Sequence, residues 1–257
     1  MIDSPVEYSR MVAVESDLWW YKALHRHVLK VVDCHLLKRS SKNILDAGCG
    51  TGGMMRFLRN AGYTSIEGFD LSDAAIAHSS LSGLNVWKGD IGMDESYSFG
   101  CGIYDVIISL DVLYFLSEFE QKLLISRCYQ RLSDGGILIL NLPALACFSG
   151  IHDRAVGIKK RFSKKQMPTL IFQTGFKIEE IKYWPFFISP IIYLVRFCQR
   201  LRMYMWKFFG TSGKISSDLN TPPSLINKLL FILTEWEVNH FSKWSPWGSS
   251  LFVVLRK

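Results

Sequence analysis

The sequence predicts an α/β protein built on a mostly parallel sheet with helices on both faces. Three observations carry that expectation. Between residues 42 and 141, short apolar runs alternate with segments of helical periodicity, the pattern of βαβ units. Each apolar run is continuous rather than alternating, as burial on both faces of a sheet requires. A chain of 257 residues, 49% hydrophobic and 21% charged, holds enough apolar material for one large core and is too ordinary in composition to be disordered or fibrous.

The elements follow in order. Residues 15–37 repeat apolar side chains at three- and four-residue spacing and form an expected N-terminal helix. Residues 43–46 make a first strand that runs into a glycine-rich turn. A helix over 54–60 is then closed by Ala61-Gly62. A second strand over 64–69 ends at Asp70. Ser72 caps the next helix, with Asp73 in its first turn. Strands over 84–87 and 104–110 follow, the second carrying Val106-Ile107-Ile108. Helical spacing over 117–132 closes at Asp134-Gly135-Gly136, before a fifth strand over 137–140. Beyond residue 141 the pattern changes to a polar, basic loop as far as Arg161-Phe162, then a Ser163-capped helix to Gly175. A strand over 176–183, apolar helical segments over 186–209, a helix from Ser224 to near Phe241 and a last strand over 250–255 complete the chain. The expected organisation is one domain: a helical cap over 1–40, a core over 41–183, a helical, aromatic and basic insertion over 184–247, and a final core strand within 248–257.

The start of the chain lacks a basic region followed by an apolar stretch, so no signal peptide is read there. The longest uncharged apolar stretch, 183–195, falls short of the roughly 20 residues of a spanning helix. The six cysteines show neither CxxC pairs nor zinc-ligand spacing. They read as reduced thiols of a cytoplasmic protein with no call for a metal. The net charge of +7 is uneven: residues 151–214 hold 13 Lys/Arg against 3 Asp/Glu, so the rest of the chain is net acidic.

Residues 44–53 read Ile-Leu-Asp-Ala-Gly-Cys-Gly-Thr-Gly-Gly. A strand entering Gly48, Gly50 and Gly52 turns tightly and delivers a ligand to the N-terminus of the next helix. Gly48-x-Gly50-x-x-Gly53 also fits a dinucleotide fingerprint, which leaves a nicotinamide oxidoreductase as one alternative, beside a non-catalytic scaffold that binds the ligand and acts through the aromatic segment. Three acids favour a different ligand. Asp46, two residues before the first glycine, suits a cationic amino acid or sulfonium and repels a pyrophosphate. Asp70, at the end of strand two, is placed to accept ribose hydroxyls. Asp90, after strand three, is placed to accept from an adenine amino group. All three stand at strand ends on one edge of the sheet, where open α/β sheets bind ligands.

Residues 44–141 resemble the cofactor core of class I S-adenosylmethionine-dependent methyltransferases. The resemblance lies in Leu45-Asp-Ala-Gly-Cys-Gly-Thr-Gly52, Gly68-Phe-Asp-Leu-Ser72, Gly89-Asp90, the run from Tyr104 to Leu113, and Leu132-x-x-Gly-Gly136. It implies a Rossmann-like, seven-stranded, mostly parallel sheet whose last strand is antiparallel, with the strands near 176–183 and 250–255 as its closing hairpin. It implies that Asp46, Gly48, Cys49 and Gly50 hold the methionine moiety, Asp70 the ribose, and Leu71, Asp90 and Ile91 the adenine, with Gly52 also in the cofactor-binding loop. Ser109 and Leu110 would lie beneath the sulfonium. Trp19-Trp20-Tyr21 is similar to an aromatic helix folded over the cofactor in many such enzymes, with Trp20 and Tyr21 as contacts. The segments around His152-Asp153, Arg161-Phe162-Ser163 and Pro246-Trp-Gly-Ser-Ser250 resemble a largely uncharacterised bacterial subgroup acting on small molecules. Where many relatives carry Glu-His after strand four, this chain has Tyr114-Phe115, so a histidine base cannot be placed there.

Methyl transfer needs a base only when the acceptor is protonated. The candidates are His152 and Asp153 in the loop after strand five, His25 and His27 on the aromatic helix, and Asp111 and Tyr114 after strand four. His152 is favoured, because that loop overhangs the cofactor edge. His25 and His27 read as surface or capping residues, and Cys49 as a small residue in a tight turn. Residues 183–209 interleave aromatics with Arg196, Arg200, Arg202 and Lys207. Two readings stand for this segment: a helical cap with a solvated basic face, or a peripheral contact with anionic lipid on the inner face of a membrane, suited to a small-molecule or lipid-linked acceptor. No nucleic-acid module is recognisable.

Overall fold

A computed structural model of the chain describes residues 5–36, 41–93, 102–209, 219–241 and 245–257. Cys101, the expected helix end at Leu37 and the end of the basic segment at Lys214 lie outside the described residues. Among the described residues, seven strands form one sheet: β1 (Asn43–Ala47), β2 (Ser65–Asp70), β3 (Asn85–Lys88), β4 (Tyr104–Leu110), β5 (Leu132–Pro143), β6 (Lys177–Trp184) and β7 (Ser250–Arg256). Their order is β3-β2-β1-β4-β5-β7-β6. The five from β3 to β5 pair in parallel, whereas β7 runs antiparallel to both β5 and β6. The fold is the Rossmann-like, seven-stranded arrangement expected. Strand order reverses between β1 and β4, which opens a crevice at their carboxyl ends.

The continuous apolar runs have a simple cause. Alternate residues of each strand point into two different cores. Leu45, Ile107, Leu138 and Val253 pack on one side with Leu124, Ile125 and Cys128 of α5 (Glu118–Arg131). Ile44, Val106, Ile108, Ile139 and Val254 pack on the other. There they meet Leu24, Val28 and Val32 of α2 (Trp19–His35), and Met55 and Leu58 of α3 (Gly53–Asn60). The hydroxyl of Ser72 accepts from the Ala75 amide at the start of α4 (Asp73–Leu81), and Ser117 with Glu120 forms a capping box on α5.

Four details differ from the sequence expectation. The N-terminal helix breaks after α1 (Pro5–Glu15), and α2 starts afresh at Trp19. The break is held from outside: Asn227 accepts from the Trp19 amide at 2.9 Å and donates to the Asp17 carbonyl at 2.7 Å. β5 begins directly after α5, because Leu132 already pairs with Tyr104 before the ladder shifts register. The loop after β5 contains a short helix, α6 (Ile151–Val156), ended by Gly157 at φ 74°. Ser163 does open a capping box, but α7 (Met167–Leu170) stops early, ahead of Gln173 at φ 66°. The segment before β7 forms α8 (Ser189–Phe208) and α9 (Ser224–His240), and α9 lies along α2.

Candidate active site

The loop after β1 is shaped by its glycines. Gly48 sits at φ 88°, and a Cβ there would lie 2.5 Å from Cγ2 of Val112. The amides of Gly48 and Cys49 donate to the Phe69 carbonyl at 2.8 and 3.0 Å, tying the loop to β2. Asp70 is fixed from both sides, accepting from the Gly50 amide on Oδ2 and the Ser72 amide on Oδ1, each at 2.9 Å. Burial raises its pKa, while those backbone hydrogen bonds oppose the rise. Asp46 is 3% exposed and accepts no hydrogen bond among the described residues. Burial first, and the charge of Asp70 second, push its carboxyl up to about 7.

A cavity of about 700 Å³ lies over the ends of β1, β2 and β4. Of the residues expected from the sequence, Asp46, Gly48, Cys49, Gly50, Asp70, Leu71, Asp90, Ile91, Leu110, Trp20, Tyr21, Tyr114 and His152 line it. Three others do not. Ser109 is buried inside the sheet, where its hydroxyl donates to the Ala47 carbonyl at 2.8 Å, cross-linking β4 to β1. Gly52 faces away, since a Cβ there would meet Leu84 at 2.4 Å, and it sets the packing of the loop rather than the cavity wall. Asp153 is held by Arg161 through two contacts of 2.7 Å, so its carboxylate is already committed as an acceptor. The Cys49 thiol is pushed well above its ordinary value by burial and by Asp46 and Asp70, which keeps it protonated.

The cover of the cavity involves more of the N-terminus than the aromatic triplet. Tyr8, Met11 and Glu15 of α1 line it beside Trp19, Trp20 and Tyr21. Glu15 accepts from the Thr51 hydroxyl at 2.6 Å and is paired with Arg56, so α1 is clamped to the glycine loop. A Cβ at position 53 would stand 2.5 Å from Oε2 of Glu15, so a side chain there would displace the carboxylate from this clamp. Nothing in local periodicity signals this clamp, because its partners are 36 and 41 residues apart. His25 and His27 are buried, contrary to the surface role expected for them. Desolvation lowers both to about 4, and His27 stacks on Phe252 with ring centroids 3.7 Å apart.

One carboxylate emerges more strongly than the sequence suggested. Asp111 follows β4 directly, at φ 57°, and lines the cavity. Asn141 donates to its Oδ2 at 2.9 Å, and Asn141 in turn accepts from the Trp184 indole at 2.9 Å. Burial raises Asp111 to about 7, with the Asn141 bond and Arg161 acting against the rise. A non-glycine residue in this strained region, aimed into a cavity, is a common mark of a functional site. Tyr114 beside it keeps its proton, since burial and then Asp111 raise its pKa well above the ordinary value. His152 also lines the cavity, half-buried at the start of α6.

The residues fit a cationic nucleoside better than a dinucleotide. Beside the glycine loop, the end of β1 presents a buried carboxylate, Asp46, whose pKa is raised by a second, Asp70, while Arg56 nearby in sequence is engaged by Glu15. A positively charged amino group there would restore the ionisation of Asp46, whereas a pyrophosphate would be repelled.

Strand order, glycine loop and acidic crevice together define an α/β protein that binds a nucleoside ligand at its topological switch point. Residues 21–186 match the model of the methyltransferase domain family, and the chain belongs to that family. Its fold is similar to a SAM-dependent methyltransferase from Archaeoglobus fulgidus, at 15% identity over 91% of this chain and 93% of that one, with a TM-score of 0.57. It is also similar to a putative sarcosine dimethylglycine methyltransferase from Galdieria sulphuraria, at 15% identity over 91% and 85% of the two chains, with a TM-score of 0.56. A third likeness is to an S-adenosylmethionine-dependent methyltransferase from Mesorhizobium loti, at 15% identity over 90% and 98%, with a TM-score of 0.54. No curated protein matches the chain.

Proposed function

We propose that this methyltransferase uses S-adenosylmethionine to methylate a lipid-borne acceptor presented at an anionic membrane surface. The observation that carries the reading is the position of α8. Ile191, Ile192, Val195 and Arg196 of that helix wall the cofactor cavity. Outside that wall, Leu194, Leu201, Met205 and Phe208 of the same helix stand exposed, Leu194 at 61% and Phe208 at 74%. Within α8 only Ser189 is buried, and the helix carries four cations and no acid. Leu225, Leu229, Ile232 and Trp236 of α9 are exposed as well. So much apolar surface is unfavourable in water, and an anionic bilayer interface answers both its apolar and its cationic character. Among the described residues no helix is long and apolar enough to cross a membrane, and the contact proposed is with the interface.

When bound, S-adenosylmethionine supplies a methyl group on a sulfonium already activated for displacement. The work left to the chain is to orient two partners and remove a proton. Asp46 takes the cationic end of the nucleoside amino acid, Asp70 its ribose, and Leu71 with Ile91 the base. Asp111 accepts the acceptor's proton on a carboxylate oxygen, in an orientation fixed by Asn141. Tyr21 and Tyr114 stay protonated and act as wall and donor.

Incubation of the protein with methyl-labelled cofactor and cell extract tests the reading, together with sedimentation on phosphatidylglycerol vesicles. Label in the solvent-extractable fraction, with protein on the vesicles, is expected. Label confined to water-soluble products, with no sedimentation at physiological salt, would overturn it.

A further inference from the structure

A second cavity, of about 790 Å³, lies between α6 and α8 and meets the cofactor cavity at Ile158 and Arg161, which line both. Its wall carries Arg154, Lys159, Lys160, Arg161, Arg200 and Lys207 against one carboxylate, Asp153. Two of these charges are answered within the chain: Arg161 by Asp153, and Lys160 by Glu118 at 2.8 Å. The other four form no ion pair among the described residues. Arg200 donates to the carbonyls of Cys147 and Ser149, and Lys159 reaches the Phe115 carbonyl at 3.4 Å. Arg154 and Lys207 make no hydrogen bond or ion pair among the described residues.

The walls are built rather than incidental. Gln199 of α8 accepts from the Ile151 amide at 3.1 Å. A Cβ on Gly150 would stand 2.4 Å from that same Gln199 oxygen, so glycine there lets α6 and α8 approach closely. Cations without an ion-pair partner gathered around one concavity favour a multiply charged anion, which lowers their mutual repulsion. Arginine forks match phosphate oxygens in particular. Met203, Tyr204 and Trp206 give the same cavity an apolar side.

We propose that this cavity binds a multiply charged phosphate-bearing group, such as a diphosphate, belonging to the acceptor. Its reacting end then passes Ile158 and Arg161 into the cofactor cavity. The assignment of the phosphate to the acceptor rests on the methyl-transfer reading above; binding of phosphate in the cavity does not. The same chemistry is offered by a soluble phosphate ester and by a lipid headgroup, and the test separates them.

Inorganic pyrophosphate is titrated calorimetrically into the full-length protein saturated with S-adenosylhomocysteine, and into its Arg154→Gln/Lys207→Gln variant. Both proteins are also sedimented with phosphatidylglycerol vesicles. Neither residue lines the cofactor cavity, so S-adenosylhomocysteine affinity should stay within about twofold and report intact folding. The expected result is pyrophosphate binding that weakens with salt and falls at least tenfold in the variant. Loss confined to pyrophosphate assigns a soluble ester, whereas loss on vesicles as well assigns a headgroup. A variant that matches the parent on both probes overturns the proposal. If the parent ignores vesicles while its pyrophosphate binding depends on the two cations, the lipid reading fails and the phosphate site stands.

Discussion

At the scale of single residues, two carboxyls that line the cavity are raised by burial to about neutral pH. Asp46 and Asp111 each have a folded pKa of about 7, well above the ordinary aspartate value of about 4. A raised folded value means the native state keeps protons that the unfolded chain releases. The associated stability is complete below about pH 4 and is lost as pH rises through about 7. Ligand-free protein is therefore expected to unfold at lower denaturant at pH 8 than at pH 5, and Asp46→Asn with Asp111→Asn should flatten that difference; an unchanged difference would refute the assignment. Binding of a cationic nucleoside drives Asp46 to ionise. Calorimetry with S-adenosylhomocysteine at pH 6, in buffers of different ionisation enthalpy, should register proton release that vanishes in Asp46→Asn. Asp111→Asn should leave cofactor affinity intact and lower turnover by about 10²–10⁴-fold, the usual contribution of a positioned base. Equal turnover would return the role to His152.

At the scale of elements, the contact that matters most is α1 against the glycine loop. Glu15 satisfies Thr51 and Arg56 together, and it lies where a side chain at position 53 would crowd it. Gly53→Ala is expected to push Glu15 away and leave buried polar groups unpaired, costing about 1–3 kcal/mol of stability. Denaturant titration measures that loss, and S-adenosylhomocysteine affinity should fall with it, because α1 also roofs the cavity. A variant as stable as the parent, with unaltered affinity, would mean the clamp is idle. α8 shows a different division of labour. Its exposed apolar positions Leu194, Leu201, Met205 and Phe208 lie outside both cavities, whereas its cations Arg196, Arg200 and Lys207 line them. The sequence revealed that the segment mixes aromatics and cations, but not which of them turn inward.

At the scale of the whole molecule, cofactor binding and folding are coupled, since the cavity draws on α1, α2, three strand ends and α8. A ligand at about 100 times its Kd adds about 2.7 kcal/mol to stability. For a chain of this size that corresponds to a rise in Tm of roughly 5–10 °C with S-adenosylhomocysteine. Scanning calorimetry should show that rise, and no comparable one with NAD.

The order of strands and helices, the glycine turn and the three acids at successive strand ends were legible because they are local. Periodicity, caps and turn residues act over a few positions, and in a parallel sheet strand ends necessarily share an edge. The tertiary structure decided what local pattern cannot express. It withdrew Asp153 by pairing it with Arg161, spent the Ser109 hydroxyl on the Ala47 carbonyl, raised Asp111 by burying it above Asn141, and folded α1 onto Thr51 and Arg56. Each outcome depends on which distant groups meet and how much water is left between them, and those quantities exist only once the chain has packed.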